Sequence, residues 1–194
     1  SDAISVTVAG CATILSEAFA VDPEKFRVIP PLLSLPVESR TKIEPGLFGA
    51  DTLDMVYLGV LYPTLRPPDS LLAIFSEMHK KNDKLRLHFF GDIKGCEPAF
   101  EMHRNLLGDA IVIHNSIPRE SVGPTMEGAD ILGNIGNGTE PQLPSKLVEY
   151  VAAGRPILNI SRTPRDTAAA FLKNHPSSLS VVLEDETPTA GQIA

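Results

Sequence analysis

Ser145, Lys146 and Glu149 fall within five consecutive residues, just after a stretch holding Gly133, Gly136, Gly138 and two prolines, Pro141 and Pro144. A lysine ammonium beside the open start of a helix is a combination that holds an anion. A carboxylate one turn further in offers two acceptor oxygens that match a vicinal diol. The elements needed to position these groups are legible on either side. Residues 129–135 form a short apolar run of strand length, 145–153 a helix closed by Gly154, and 156–160 the next strand. Pro144 suits the first turn of that helix, where its missing N–H costs nothing. Leu147, Val148, Val151 and Ala152 share one helical face, which is expected to pack inward, and Lys146 points away from it. Ser145 and Glu149 stack four apart on one flank. The unpaired amides of residues 144–147, with Lys146 beside them, can therefore seat a diphosphate. The plainer reading makes Lys146 a solvated lysine and Glu149 a helix-stabilising carboxylate, and spacing alone leaves both open.

The segment LPSKLVEYVAAGRPIL resembles the donor-binding segment of the group 1 glycosyltransferases, family four in the sequence-based classification. Members often carry P-S-K-x-x-E-Y-x-A-x-G-x-P-I/V, and Pro144, Ser145, Lys146, Glu149, Tyr150, Ala152, Gly154, Pro156 and Ile157 match it. The resemblance implies the C-terminal, donor-binding half of a GT-B fold. It also implies transfer of a sugar from a nucleotide diphosphate to an acceptor, with retained configuration, no bound metal and no cofactor beyond the donor. By the same resemblance Glu149 bonds the ribose, and the helix start, from Ser145 to Leu147, meets the diphosphate. The family's loop after the first strand of this half places an arginine just after a glycine and a lysine six residues later. Gly59 matches the glycine, Val60 stands at the arginine position and Arg66 at the lysine position. A guanidinium can grip two phosphate oxygens at once. Arg66 and Lys146 are thus the expected catalytic cations, and Gly136, Asn137 and Gly138, with Thr139, border the approach of the sugar. Many members carry a second glutamate eight residues before the helix one; here that position is Pro141, with Glu140 beside it. Val60 and Pro141 keep open an alternative, a nucleotide-sugar-binding module that has lost transfer.

The 194 residues suffice for one sizeable domain plus a fragment. The net charge is −7, from 17 basic and 24 acidic residues, and no basic run is long enough for nucleic acid. An anionic donor must then be met by a local site. No apolar run approaches a membrane span, and the N-terminus has no signal-peptide pattern. Cys11 and Cys96 are isolated and read as reduced thiols of a cytoplasmic protein. His79, His88, His103, His114 and His175 have no paired spacing for a metal or a triad. No G-x-G-x-x-G, Walker loop or G-x-S-x-G occurs.

Strand-like runs begin near residues 53, 85, 110, 129, 156 and 179, separated by helical stretches at 70–81, 98–107, 119–128, 146–153 and 166–173. This alternation predicts an α/β, Rossmann-like parallel sheet with helices on both faces. The runs YLGVL, LHFFG, IVIH and ILNI lack polar alternation, as strands covered on both sides should. Residues 3–8, 12–19 and 26–30 read as strand, helix and strand, a unit resembling the end of an N-terminal GT-B domain. The expected division is a remnant of that domain over 1–38, a linker over 39–51 and the nucleotide-sugar-binding domain over 52–194. Most of the N-terminal partner would lie outside this chain.

Overall fold

The computed structural model describes residues 2–31, 46–137 and 141–183. At the N-terminal end β1 (Ile4–Val6) and β2 (Phe26–Val28) pair in parallel, joined by α1 (Ala9–Phe19). These form a two-stranded sheet separate from the rest. Most of the expected boundary between remnant and linker, and the tail beyond residue 183, lie outside the described residues.

The apolar runs downstream become β3 (Leu53–Leu58), β4 (Leu85–Phe90), β5 (Ile111–His114), β6 (Ile131–Ile135), β7 (Ile157–Ser161) and β8 (Ser178–Val182). All pair in parallel, in the order β5-β4-β3-β6-β7-β8. Successive side chains on each strand serve opposite faces. Met55 and Tyr57 of β3, with Leu87 and Phe89 of β4, pack beneath α2 (Asp69–Lys81) and α3 (Glu97–Leu107). Val56 and Leu58, with Phe90, pack beneath α4 (Arg119–Gly128), α5 (Lys146–Ala152) and α6 (Thr167–Leu172). Burial on both faces explains why these strands read as unbroken apolar runs. No helix among the described residues is long and apolar enough to cross a membrane.

The inward face of α5 differs from the expected one. Leu147 and Tyr150 are buried, whereas Ala152 is exposed. Tyr150 goes in because its hydroxyl has a partner there, accepting the Leu58 amide at 3.1 Å. Lys146 is half-buried and drawn back toward the sheet, because an aromatic face and a backbone carbonyl await its ammonium.

Chain order reverses between β3 and β6, so the connections leaving these neighbours diverge and open a crevice at their carboxyl ends. The β3–β4 side of that opening is tight. The Gly59 amide donates to the Phe90 carbonyl at 2.9 Å, and Gly91 follows with φ of +143°. A Cβ on Gly91 would lie 2.0 Å from the Gly59 carbonyl oxygen, a backbone atom that cannot step aside. Gly91→Ala should therefore destabilise the chain by at least about 2 kcal/mol, read by chemical denaturation. Unchanged stability would mean the two strand ends are not held this close.

Candidate functional site

Two cations from distant segments meet at the crevice between β3 and β6. The loop after β3 is pinned by Leu61, which is buried and whose amide donates to the Asp92 carbonyl at 2.9 Å. The Arg66 amide donates to the Tyr62 carbonyl at 2.8 Å, turning the chain back over the sheet end. This aims the guanidinium across the crevice, where Nε donates to Oδ1 of Asn137, just past β6. Lys146 arrives from α5. Its Nζ lies 3.8 Å from the centroid of the Tyr57 ring and 5.5 Å from that of Tyr150, and donates to the Leu58 carbonyl at 3.2 Å. Burial, and secondarily the positive Arg66 nearby, holds the Lys146 ammonium well below the usual lysine range. Among the described residues no ion pair involves Arg66 or Lys146.

Beneath them Tyr57 stacks on Phe89, centroids 4.8 Å apart. Its hydroxyl is buried with no hydrogen-bond partner among the described residues. Burial pushes it up to about 12, partly offset by Arg66, which is near enough to act electrostatically without hydrogen-bond alignment. The Asn137 amide nitrogen is likewise buried and unpartnered among the described residues. Paired cations over unsatisfied donors, with no carboxylate among the described residues to balance them, make a site for an anion.

The β6 side is held by a buried polar cluster. Asn134 Nδ2 donates to Asn159 Oδ1 at 2.6 Å, and Asn159 Nδ2 donates to Ser161 Oγ at 3.1 Å, Ser180 Oγ at 3.3 Å and Asp166 at 3.4 Å. Ser161 also donates to Asp166, whose carboxylate caps α6 by accepting the Ala168 and Ala169 amides at 3.3 Å. That carboxylate presses against Gly136, where a Cβ would meet Oδ2 at 2.9 Å. Gly136 thus lets the strand end lie flat on Asp166 and sets the position of Asn137. Gly138 and Thr139 lie outside the described residues.

At the start of α5 the Leu147 amide is taken by the Pro144 carbonyl at 3.1 Å and the Val148 amide by Ser145 at 3.2 Å. Leu147 is wholly buried, so neither its side chain nor its amide faces the crevice as expected. Ser145 and Lys146 are the amides at this end with no acceptor among the described residues. Ser145 is exposed, and Gly59 sits directly beside the Lys146 ammonium. Glu149 is held in a two-pronged pair with Arg119, the first residue of α4: Nη1 donates to Oε2 at 2.9 Å and Nη2 to Oε1.

The sequence does not single out Tyr57, the tie between Arg119 and Glu149, or the pairing of His88 with His114. Arg119 and Glu149 lie thirty positions apart on different helices, so no local spacing links them. The histidines, unpaired by spacing, are paired by the sheet. Phe90 and His114 share a register position, and His88 Nδ1 lies 3.0 Å from His114 Nε2. His88 Nε2 lies 3.0 Å from Asp54 Oδ1, and Asp54 accepts from Thr52 at 2.8 Å. Burial lowers the His88 pKa against the opposing pull of Asp54, so the ring is neutral and its Nε2–H donates to the carboxylate. His88 Nδ1 then accepts from His114, whose ring stacks on Phe90 at 4.1 Å. The available signal was a polar residue interrupting the apolar run LHFF. Asp92 caps a turn, accepting the Lys94 amide at 2.8 Å.

No family model matches the sequence, and no curated protein does. Solved structures do. HepE from Anabaena, in complex with UDP and glucose, superposes with a TM-score of 0.72 at 11% identity, over 100% of this chain and 53% of that one. TarM from S. aureus, in a complex that includes UDP, gives 0.69 at 13%, over 99% and 36%. A glycosyltransferase from Rickettsia africae gives 0.60 at 12%, over 99% and 52%. The chain spans about half the length of HepE. At these identities the likeness is one of fold: this chain has the Rossmann-like architecture of the C-terminal half of a GT-B glycosyltransferase.

Proposed function

We propose that this chain is the nucleotide-sugar-binding part of a glycosyltransferase that transfers a sugar from a nucleotide diphosphate to an acceptor. The observation that carries this reading is the meeting of Arg66 and Lys146 at the point where the sheet changes direction. Departure of the nucleotide diphosphate builds negative charge on its bridging oxygen, and fixed cations in a partly desolvated crevice stabilise that charge. Arg66 supplies a planar fork with the geometry of phosphate oxygens; Lys146 supplies a compact charge that leaves the Leu58 carbonyl to meet them. Two side-chain cations can do the neutralising that a divalent ion does elsewhere, which supports a metal-independent reaction. In the same reading Glu149 takes the ribose hydroxyls, and transfer keeps the anomeric configuration. The acceptor is met by a second domain, so this chain by itself binds donor and transfers little. The alternative, binding without transfer, draws on Val60, a half-exposed apolar side chain at the position where an arginine was expected.

The direct test is thermal unfolding with UDP-, GDP-, ADP- and dTDP-linked sugars. One of them should stabilise the chain, by about 2.7 kcal/mol at about a hundred times its dissociation constant; silence across the set would sink the reading. Arg66→Ala should weaken the diphosphate about ten- to a hundredfold and leave the free nucleoside nearly unchanged. Equal losses for both would remove Arg66 from the phosphates.

Lys146→Met separates binding from folding. Removing a half-buried ammonium should raise the melting temperature of the ligand-free chain while weakening the diphosphate. The pH dependence has a definite sign. An incoming anion raises the depressed Lys146 pKa, so binding takes up a proton and affinity falls as pH climbs through the ligand-free value. That slope should be absent in Lys146→Met; a slope that survives would place the titrating group elsewhere.

A further inference from the structure

We infer that Asn137 is a positioning residue for the diphosphate: its side-chain oxygen holds Arg66 by Nε and leaves the terminal edge of the guanidinium for the anion. The inference rests on the nucleotide-binding reading above. Arginine is a long side chain with much rotamer freedom, and Arg66 sits half-buried on a loop, so an unanchored fork would sample many directions. The bond from Nε to Asn137 is its one side-chain hydrogen bond among the described residues. A guanidinium presents parallel N–H pairs along two edges, one shared by Nε and an Nη, the other formed by both Nη atoms. Asn137 engages the first edge, and the second stays open for two phosphate oxygens.

Three observations separate this bond from an incidental contact. Asn137 is 1% exposed and follows Gly136, whose amide donates to the Ile160 carbonyl at 2.8 Å, so the anchor is fixed before the arginine meets it. Its amide nitrogen has no acceptor among the described residues, a burial cost that an apolar side chain would avoid. The oxygen is what the residue contributes, because a guanidinium only donates and must be met by an acceptor. The anchor is also neutral. Arg119 is tied to the Glu149 carboxylate, which cancels its charge, whereas no ion pair involves Arg66 among the described residues. A carboxylate in place of the amide would hold the guanidinium more firmly and leave less charge for the ligand. The amide holds it and leaves the charge.

The test uses the 194-residue chain with UDP, GDP and ADP and the matching nucleosides, measured by calorimetry with the tightest-binding base. Asn137→Leu and Asn137→Ala should each weaken the diphosphate about three- to tenfold, the cost of ordering a freed arginine, and shift the nucleoside by less than about twofold. In an Arg66→Ala background the same changes should cost the diphosphate less than about twofold, because the oxygen has nothing left to hold. Equal losses in both backgrounds would make Asn137 a structural residue and overturn the positioning role. Equal losses for diphosphate and nucleoside, or no loss at all, would overturn it too. Asn137→Asp is close in shape and should also weaken the diphosphate; affinity at the wild-type level there would overturn the need for a neutral anchor. All of these outcomes leave nucleotide binding by the wild-type chain intact. A wild-type chain that binds none of the three diphosphates would overturn the functional reading itself, and this inference with it.

Discussion

The site depends on keeping a lysine ammonium away from water next to an arginine. Neither neighbour is a natural companion for it: burial favours the neutral amine, and the guanidinium repels the charged one. What makes the arrangement tolerable is local. The Tyr57 ring presents its negative face, the Leu58 carbonyl accepts one hydrogen bond, and Asn137 absorbs part of the Arg66 charge through a side-chain oxygen. Each compensation is partial, and the site keeps a residual appetite for negative charge. An aromatic ring and a single carbonyl are also surrendered easily, so the lysine can exchange them for a stronger partner.

That arrangement requires the sheet to change direction where it does. Arg66 follows β3, Lys146 follows the loop after β6, and only strands that are neighbours in space but distant in sequence bring the two together. The backbone closes in around them through Gly59 and Gly91 on one side and through Gly136, flat against Asp166, on the other.

The fold was largely legible because strands covered on two faces leave an unmistakable trace, and the helical stretches between them alternate at the interval a parallel sheet requires. The segment around α5 was legible as well, and so was Arg66 as a member of the same cluster. Direction was harder to read. Lys146 looked solvent-facing from helical periodicity, which counts positions around a cylinder and ignores a four-carbon stem that bends back to a ring. Helical periodicity puts Ala152 on the inward face and leaves Tyr150 off it, because a phenol is buried only when its hydroxyl finds a partner, and that partner belongs to β3. The ties from Arg119 to Glu149 and from His88 to His114 join separate elements, so they become visible only once those elements are placed.

The buried amides of Asn134 and Asn159 and the buried hydroxyl of Ser161 have a consequence for assembly of the sheet. Apolar strands are interchangeable: sliding one by a residue or two still finds oil on both sides. Two adjoining strands, β6 and β7, whose buried polar groups bond to one another in otherwise greasy surroundings lack that freedom, since a slip would strand each group among aliphatic neighbours. The cluster therefore works as a key that admits a single alignment of β6 and β7, and so decides where the crevice opens before any ligand arrives.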